Sequence, residues 1–197
     1  MKKILLVLIL SILMLSISGC TDEVVEETSV TTENVSESEV VTTADTIADS
    51  ATIVDLVPTE NLPANYELLG TRELSAETVG SDYSVVEGVV GGLEGLYTYM
   101  ESTDVYVDVI ETSSAENAEE FISSYKDEFS NLVVGDRFTE TSVNGHSAVQ
   151  ILDYATIGTN DVKRYTYIWS NSKFVFVVGG ATDDSDVLLT LAESTGY

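Results

Sequence analysis

The sequence predicts an α+β domain: an antiparallel sheet of about six strands with two amphipathic helices packed on one face. Three observations carry that expectation. Turn signals such as Asn144-Gly145 separate consecutive runs of β-branched and aromatic residues, as hairpins require. Two segments, one after Ser113 and one after Asp183, repeat apolar residues at helical spacing. The patterning starts near Leu62 and continues to Tyr197, so a single domain over 59–197 is long enough for a core that needs no disulfide.

Taken in order, Tyr66-Glu67-Leu68-Leu69 reads as a short strand. Asp82 to Gly95 fits no single element, because Gly88, Gly91, Gly92 and Gly95 discourage a long helix. Leu96–Met100 and Val105–Glu111 form a hairpin about Glu101-Ser102-Thr103-Asp104. Val105, Val107 and Val109 share one face, and Tyr106, Asp108 and Ile110 share the other. Ser113–Phe129 is the clearest helix. Ser113 and Glu116 make a capping box, and Ala118, Phe121, Ile122, Tyr125 and Phe129 form its apolar stripe. Leu132–Val143 and His146–Ile157 are strands joined at Asn144-Gly145, and Val162–Trp169 pairs with Lys173–Val178 around Ser170-Asn171-Ser172. The continuous apolar run Phe174-Val175-Phe176-Val177-Val178 predicts a central strand buried on both faces. Asp183 then caps a helix carrying Val187, Leu188, Leu191 and Ala192, which stops at Gly196.

The first 58 residues follow a different logic. Lys2 and Lys3 precede the uncharged stretch Ile4–Gly19, which is shorter than the roughly 20 residues a membrane-spanning helix needs. Residues 1–19 thus read as a secretory leader. Ile17-Ser18-Gly19-Cys20 resembles the lipobox of lipoprotein signal peptides: an aliphatic residue, two small residues and then the modified cysteine. The resemblance implies cleavage before Cys20, lipid on its thiol, and a protein anchored on the extracytoplasmic face of the cell membrane. Two chains anchor stably where one gives marginal binding, at about 0.8 kcal/mol per buried CH2. Cys20 is the sole cysteine, which suits chemistry rather than cross-linking. From Thr21 to Pro58 there is no glycine, aromatic or basic residue, and the acidic Thr/Ser-rich composition predicts a disordered tether over 20–58. Such a tether spans roughly 35 Å as a coil and about 130 Å extended. Asn34-Val35-Ser36 is a glycosylation sequon that offers Asn34 as an exposed acceptor.

Charge narrows the partners. With 34 acids, eight bases and a net charge of −26, the chain repels phosphate backbones and anionic headgroups, which argues against nucleic acid and for basic partners. A surface this acidic also suits salty surroundings, where carboxylates are screened.

Little in the pattern points to catalysis. His146 is the only histidine, with Ser142, Ser147 and Asp153 near it in sequence. It reads as a strand-edge imidazole bonded to turn backbone rather than a triad member. One histidine and one lipid-bearing cysteine do not make a zinc site. Asp183-Asp184-Ser185-Asp186 lacks the calcium-loop spacing and reads as a helix cap. The glycines of 88–95 have no lysine or arginine nearby and lie beside Glu87 and Glu94, which speaks against a phosphate loop. Tyr165, Tyr167 and Trp169 share a face that reads first as one covered by a helix and second as a ligand platform. No cofactor and no metal is expected.

The segment Tyr165–Thr195 couples Tyr-x-Tyr-Ile-Trp, a turn, Phe-Val-Phe-Val-Val-Gly-Gly and an Asp-started helix ending Leu-Ala-Glu-Ser-Thr. It resembles small extracytoplasmic α+β domains of uncharacterised archaeal and bacterial surface lipoproteins and, more loosely, the Mog1/PsbP-like sandwich. The resemblance implies the fold and transfers no catalytic residue. The leading functional expectation is a non-enzymatic, lipid-anchored domain that binds a surface protein or small ligand. A structural, charge-bearing component of the envelope and a carboxylate-using hydrolase are the alternatives.

Overall fold

The computed structural model describes residues 44–48 and 50–197. The sheet has seven strands: β1 (Tyr66–Ser75), β2 (Val89–Tyr99), β3 (Thr103–Thr112), β4 (Phe138–Val143), β5 (His146–Ile157), β6 (Asn160–Asn171) and β7 (Phe174–Gly180). Its order is β1-β2-β3-β7-β6-β5-β4, with every neighbouring pair antiparallel. Two meanders, β1–β3 and β4–β7, therefore meet at the β3/β7 seam. Four helices accompany them: α1 (Ile53–Leu56), α2 (Ala76–Asp82), α3 (Ala115–Asp127) and α4 (Ser185–Glu193). No helix among the described residues is long and apolar enough to cross a membrane.

The α+β antiparallel expectation holds, and two of its details need correction. There are seven strands rather than about six, and the helices cover both faces rather than one. Strand β7 explains the second point. Phe174, Phe176 and Val178 point to one side, into a core with Val107, Trp169 and Leu188; Val175 and Val177 point to the other, against Ile110, Ala118 and Phe121. A strand apolar on both sides needs cover on both sides. Helices α1 and α4 supply it on the first face, and α2 and α3 on the second.

Local chemistry accounts for most element ends. Asn144 and Gly145 both take positive φ, 49° and 85°, which makes the two-residue turn between β4 and β5. Helix α3 is capped by Ser114, whose hydroxyl accepts from the Asn117 N–H at 3.2 Å, so the cap sits one residue beyond the expected Ser113. Asp184, not Asp183, caps α4, accepting from the Asp186 N–H at 3.0 Å. In both cases the second of two adjacent cap-competent residues is the cap, with extended backbone. Strand β4 begins at Phe138 instead of Leu132, because Arg137 holds the preceding loop against β5. Its guanidinium donates to the carbonyls of Ser130 and Leu152 and pairs with Asp153 at 2.6 Å.

Gly91, Gly92 and Gly95 of the glycine-bearing stretch lie in strand β2, and Gly88, with φ 84°, lies in the turn before it. Gly95 lies under the Tyr97 ring and Val57, and a Cβ there would come within 2.5 Å of the Tyr97 hydroxyl and 2.6 Å of Val57 Cγ1. The glycines admit close packing across the strand instead of breaking it.

The domain also starts earlier than the expected boundary at residue 59. Ile47, Leu56 and Val57 are buried in the first core. The Ile47 N–H donates to Asn171 Oδ1 at 3.1 Å, and the Tyr97 hydroxyl donates to the Pro58 carbonyl at 2.7 Å. Described residues within 44–58 thus form a strap on the α4 face, and the reading of that stretch as disordered tether is corrected.

Candidate functional site

Two grooves open where β1 ends and β2 begins. The first, about 390 Å³, lies between α1 and the sheet, with Ile53, Val54, Leu74, Val90 and Leu93 in its walls and Glu73 and Glu111 at its charged positions. Its floor includes Gly91 and Gly92. The second, about 380 Å³, is lined by α2 and the segment after it, through Glu77, Gly80, Ser84, Val85, Val86 and Val89. The two use consecutive residues, Ser75 with Ala76 and Val89 with Val90, so they adjoin at the same turn of chain. Val54 and Val90 are 64% and 61% exposed, and Val85 is 88% exposed. A cluster of solvent-facing valines beside two concavities differs from scattered surface apolar residues, which need no explanation.

Sequence dictates the grooves through what it omits. The Gly91-Gly92 pair puts no side chain above the sheet, and α1 is a single turn, closed by a capping box between Thr52 and Asp55. Glu73 and Leu93 are directly paired across β1 and β2, so they face the same side. Glu111 is half-buried and pairs with Lys173 at 2.6 Å. Among the described residues, Glu73 belongs to no ion pair.

A second cluster lies on the α2/α3 face of the sheet. Arg72, Glu94 and Asp108 stand side by side across β1, β2 and β3 in direct register. Arg72 Nε donates to Glu94 at 2.6 Å. Asp108 is only 4% exposed; Tyr83, following α2, donates its phenol to Asp108 Oδ2, while Oδ1 has no partner. The Tyr83 ring rests on Phe121 and Tyr125 of α3, with centroids 6.0 Å and 5.2 Å away. Burial is the main cause that pushes the Asp108 carboxyl up to about 7. The Glu94 charge adds to the rise, and the Tyr83 bond and Arg72 oppose it. Burial likewise raises the Tyr83 phenol well above its ordinary value, and the Tyr125 phenol to about 12. The arrangement sets a buried carboxyl with one unpartnered oxygen beside a second carboxyl that is bonded to Arg72. Neither carboxylate is among the groove-lining residues.

The residues singled out from sequence fall elsewhere. His146 Nε2 lies 3.2 Å from the Asp45 carbonyl and 3.0 Å from Asn171 Nδ2, so according to its tautomer it donates to the strap or accepts from the end of β6. Asp153 is paired with Arg137, and among the described residues the ring has the Asp45 carbonyl and the Asn171 amide, not a serine and a carboxylate, within bonding distance. Among the described residues, no group of three or more His, Cys, Asp or Glu side chains is arranged to hold a metal ion. Tyr167 and Trp169 are buried beneath α4, and Trp169 stacks on Phe176 at 5.0 Å and donates to the Tyr197 carbonyl, which makes theirs the helix-covered face. Cys20 and Asn34 lie outside the described residues.

Sequence reasoning missed the groove residues and the buried pair. Val89-Val90 beside Gly91-Gly92 was the available signal for the first, and Asp108 amid alternating valines was the signal for the second. Comparison with protein-family models, curated proteins and solved structures gives no match. The class these features define is an α+β domain with a seven-stranded antiparallel sheet, helices on both faces and an apolar, acid-flanked groove.

Proposed function

We propose that this chain is a lipid-anchored protein of the extracytoplasmic membrane face, whose domain is a binding module with the paired grooves as its site. The anchor rests on the leader-like residues 1–19 and on Ile17-Ser18-Gly19-Cys20, which place a lone thiol where lipoproteins carry lipid. The observation that carries the binding reading is the meeting of two concavities at partly buried Val89 and exposed Val90. Apolar concavities with a few placed polar groups are where ligands bind. Binding, without catalysis, is the role assigned to the domain.

Two experiments test the reading. Cells fed an alkynyl fatty acid should label the wild-type protein and recover it with membranes, whereas Cys20→Ser should be unlabelled. A C20S protein still carrying label, or a wild-type form starting well beyond residue 20, defeats the anchor. For the groove, an uncharged, solvent-sensitive phenoxazone dye should brighten on the polypeptide from Thr21 onward and lose most of that signal in Val90→Asp. The exposed side chain makes this substitution mild for folding, within about 0.5 kcal/mol. Equal dye binding by both proteins removes the groove as the site.

A further inference from the structure

We infer that the groove takes an extended apolar segment carrying lysine or arginine, contributed by a partner protein and laid along the outer edge of β1. This rests on the binding reading above and names the chemistry of the partner.

The backbone supplies the first argument. Strand β1 is the outermost strand on its side of the sheet, with β2 as its strand neighbour. An unpaired edge is a template for an added strand, whose backbone bonds give affinity while pockets for alternate side chains give selectivity. The register of β1 is broken between Leu68 and Gly70 and regular from Thr71 to Ser75. Glu73, Leu74 and Ser75, the end of that regular stretch, also line the first groove. Edge and concavity are thus the same piece of chain.

Charge supplies the second. A residue placed opposite Glu73 on an added strand would face the groove beside Glu73 and Leu93, which are themselves in register. Opposite charges directly across two strands stabilise the pairing, and like charges destabilise it. Glu111 stands on the same groove, and Glu77 lines the adjoining one. Lys173 answers Glu111, while Glu73 has no cation in the described ion pairs. On a chain of net charge −26, a cationic group on the incoming segment meets attraction at long and short range. The exposed Val54 and Val90 set the remaining requirement: the segment must be apolar between its charges.

The test uses the full chain in a nonionic detergent, with fluorescein-labelled decapeptides read by anisotropy at physiological salt. An alternating Lys-Val peptide should bind, and Glu-Val and Lys-Ser peptides should bind at least about tenfold more weakly. Methylating alternate backbone nitrogens of the Lys-Val peptide should remove binding, because the added strand then lacks its donors. Glu73→Gln should weaken Lys-Val by about threefold and leave an alternating Ser-Val peptide unchanged; Val90→Asn, which removes apolar surface without adding charge, should weaken both. Equal binding of Lys-Val and Lys-Ser would mean adsorption to an acidic surface and would overturn the inference, as would undiminished binding of the methylated peptide. If Ser-Val binds as tightly as Lys-Val and both depend on Val90, the groove reading stands and the cationic partner falls. If no peptide binding responds to Val90→Asn, both fall.

Discussion

Asp108 occupies a central strand with one carboxylate oxygen bonded by Tyr83 and the other unpartnered. Its acidity, raised to about 7 chiefly by burial, has a consequence for stability. An unfolded chain ionises this carboxyl near its ordinary value of 3.8, so the folded state binds the proton more tightly throughout the interval up to about 7. The favourable contribution is complete below the unfolded value and is lost as pH rises through the folded one. Asp108→Asn removes that titration while keeping a similar shape. We expect the urea midpoint of the variant to gain on the wild type between about pH 5 and about pH 8, with other carboxylates cancelling in the comparison. A difference that stays constant over that range would mean the Asp108 carboxyl titrates alike in both states. The pair was not legible in the sequence: alternation placed Asp108 on the face of Tyr106 and Ile110, but only strand pairing brings Glu94 beside it. His146 shows the converse. Its place at a strand edge was readable from Asn144-Gly145, but the expected partner, turn backbone, gives way to the Asp45 carbonyl and the Asn171 side chain, 101 and 25 residues away.

At the scale of elements, the strap is where composition misleads most. Its acids and threonines read as tether, yet Ile47, Ile53, Leu56 and Val57 belong to or pack against the first core. Four apolar side chains scattered among polar ones show no period, because an irregular strap buries residues where it meets the sheet rather than at a fixed interval. Removing it should be costly. A chain beginning at Ala44 should unfold at a urea midpoint close to that of one beginning at Thr21, whereas a chain beginning at Thr59 should lose several kcal/mol. The estimate takes roughly 1.5–3 kcal/mol for each fully buried aliphatic side chain. Equal stability of all three would show that the strap rests on the sheet without contributing. Helix α2 was missed for a related reason: it has seven residues with Gly80 inside, too short to display a stripe. The Ser75 cap, accepting from the Thr78 N–H at 3.1 Å, was the signal it left. The long helix, the hairpin before it and two of the hairpins after it were readable because turn residues and amphipathic spacing are local properties.

Across the whole molecule, the two meanders join at β3 and β7, so the last strand to be made is the one that closes the sheet. That seam puts the most apolar strand in the middle and leaves β1 and β4 at the edges. The acidic balance then acts on whatever approaches those edges. Charge, a lone cysteine behind an uncharged apolar stretch, hairpin turns, two helical stripes and an α+β antiparallel class were all determined by the sequence alone, because each depends on residues near one another in the chain or on their sum. Strand order, the two-sided helix cover, the docked strap, the Glu94–Asp108 pair and the groove at Val89–Val90 were decided only in three dimensions. Each of these depends on which strands become neighbours, and neighbours across a sheet are chosen by burying both faces of β7 at once, a condition that no single segment carries.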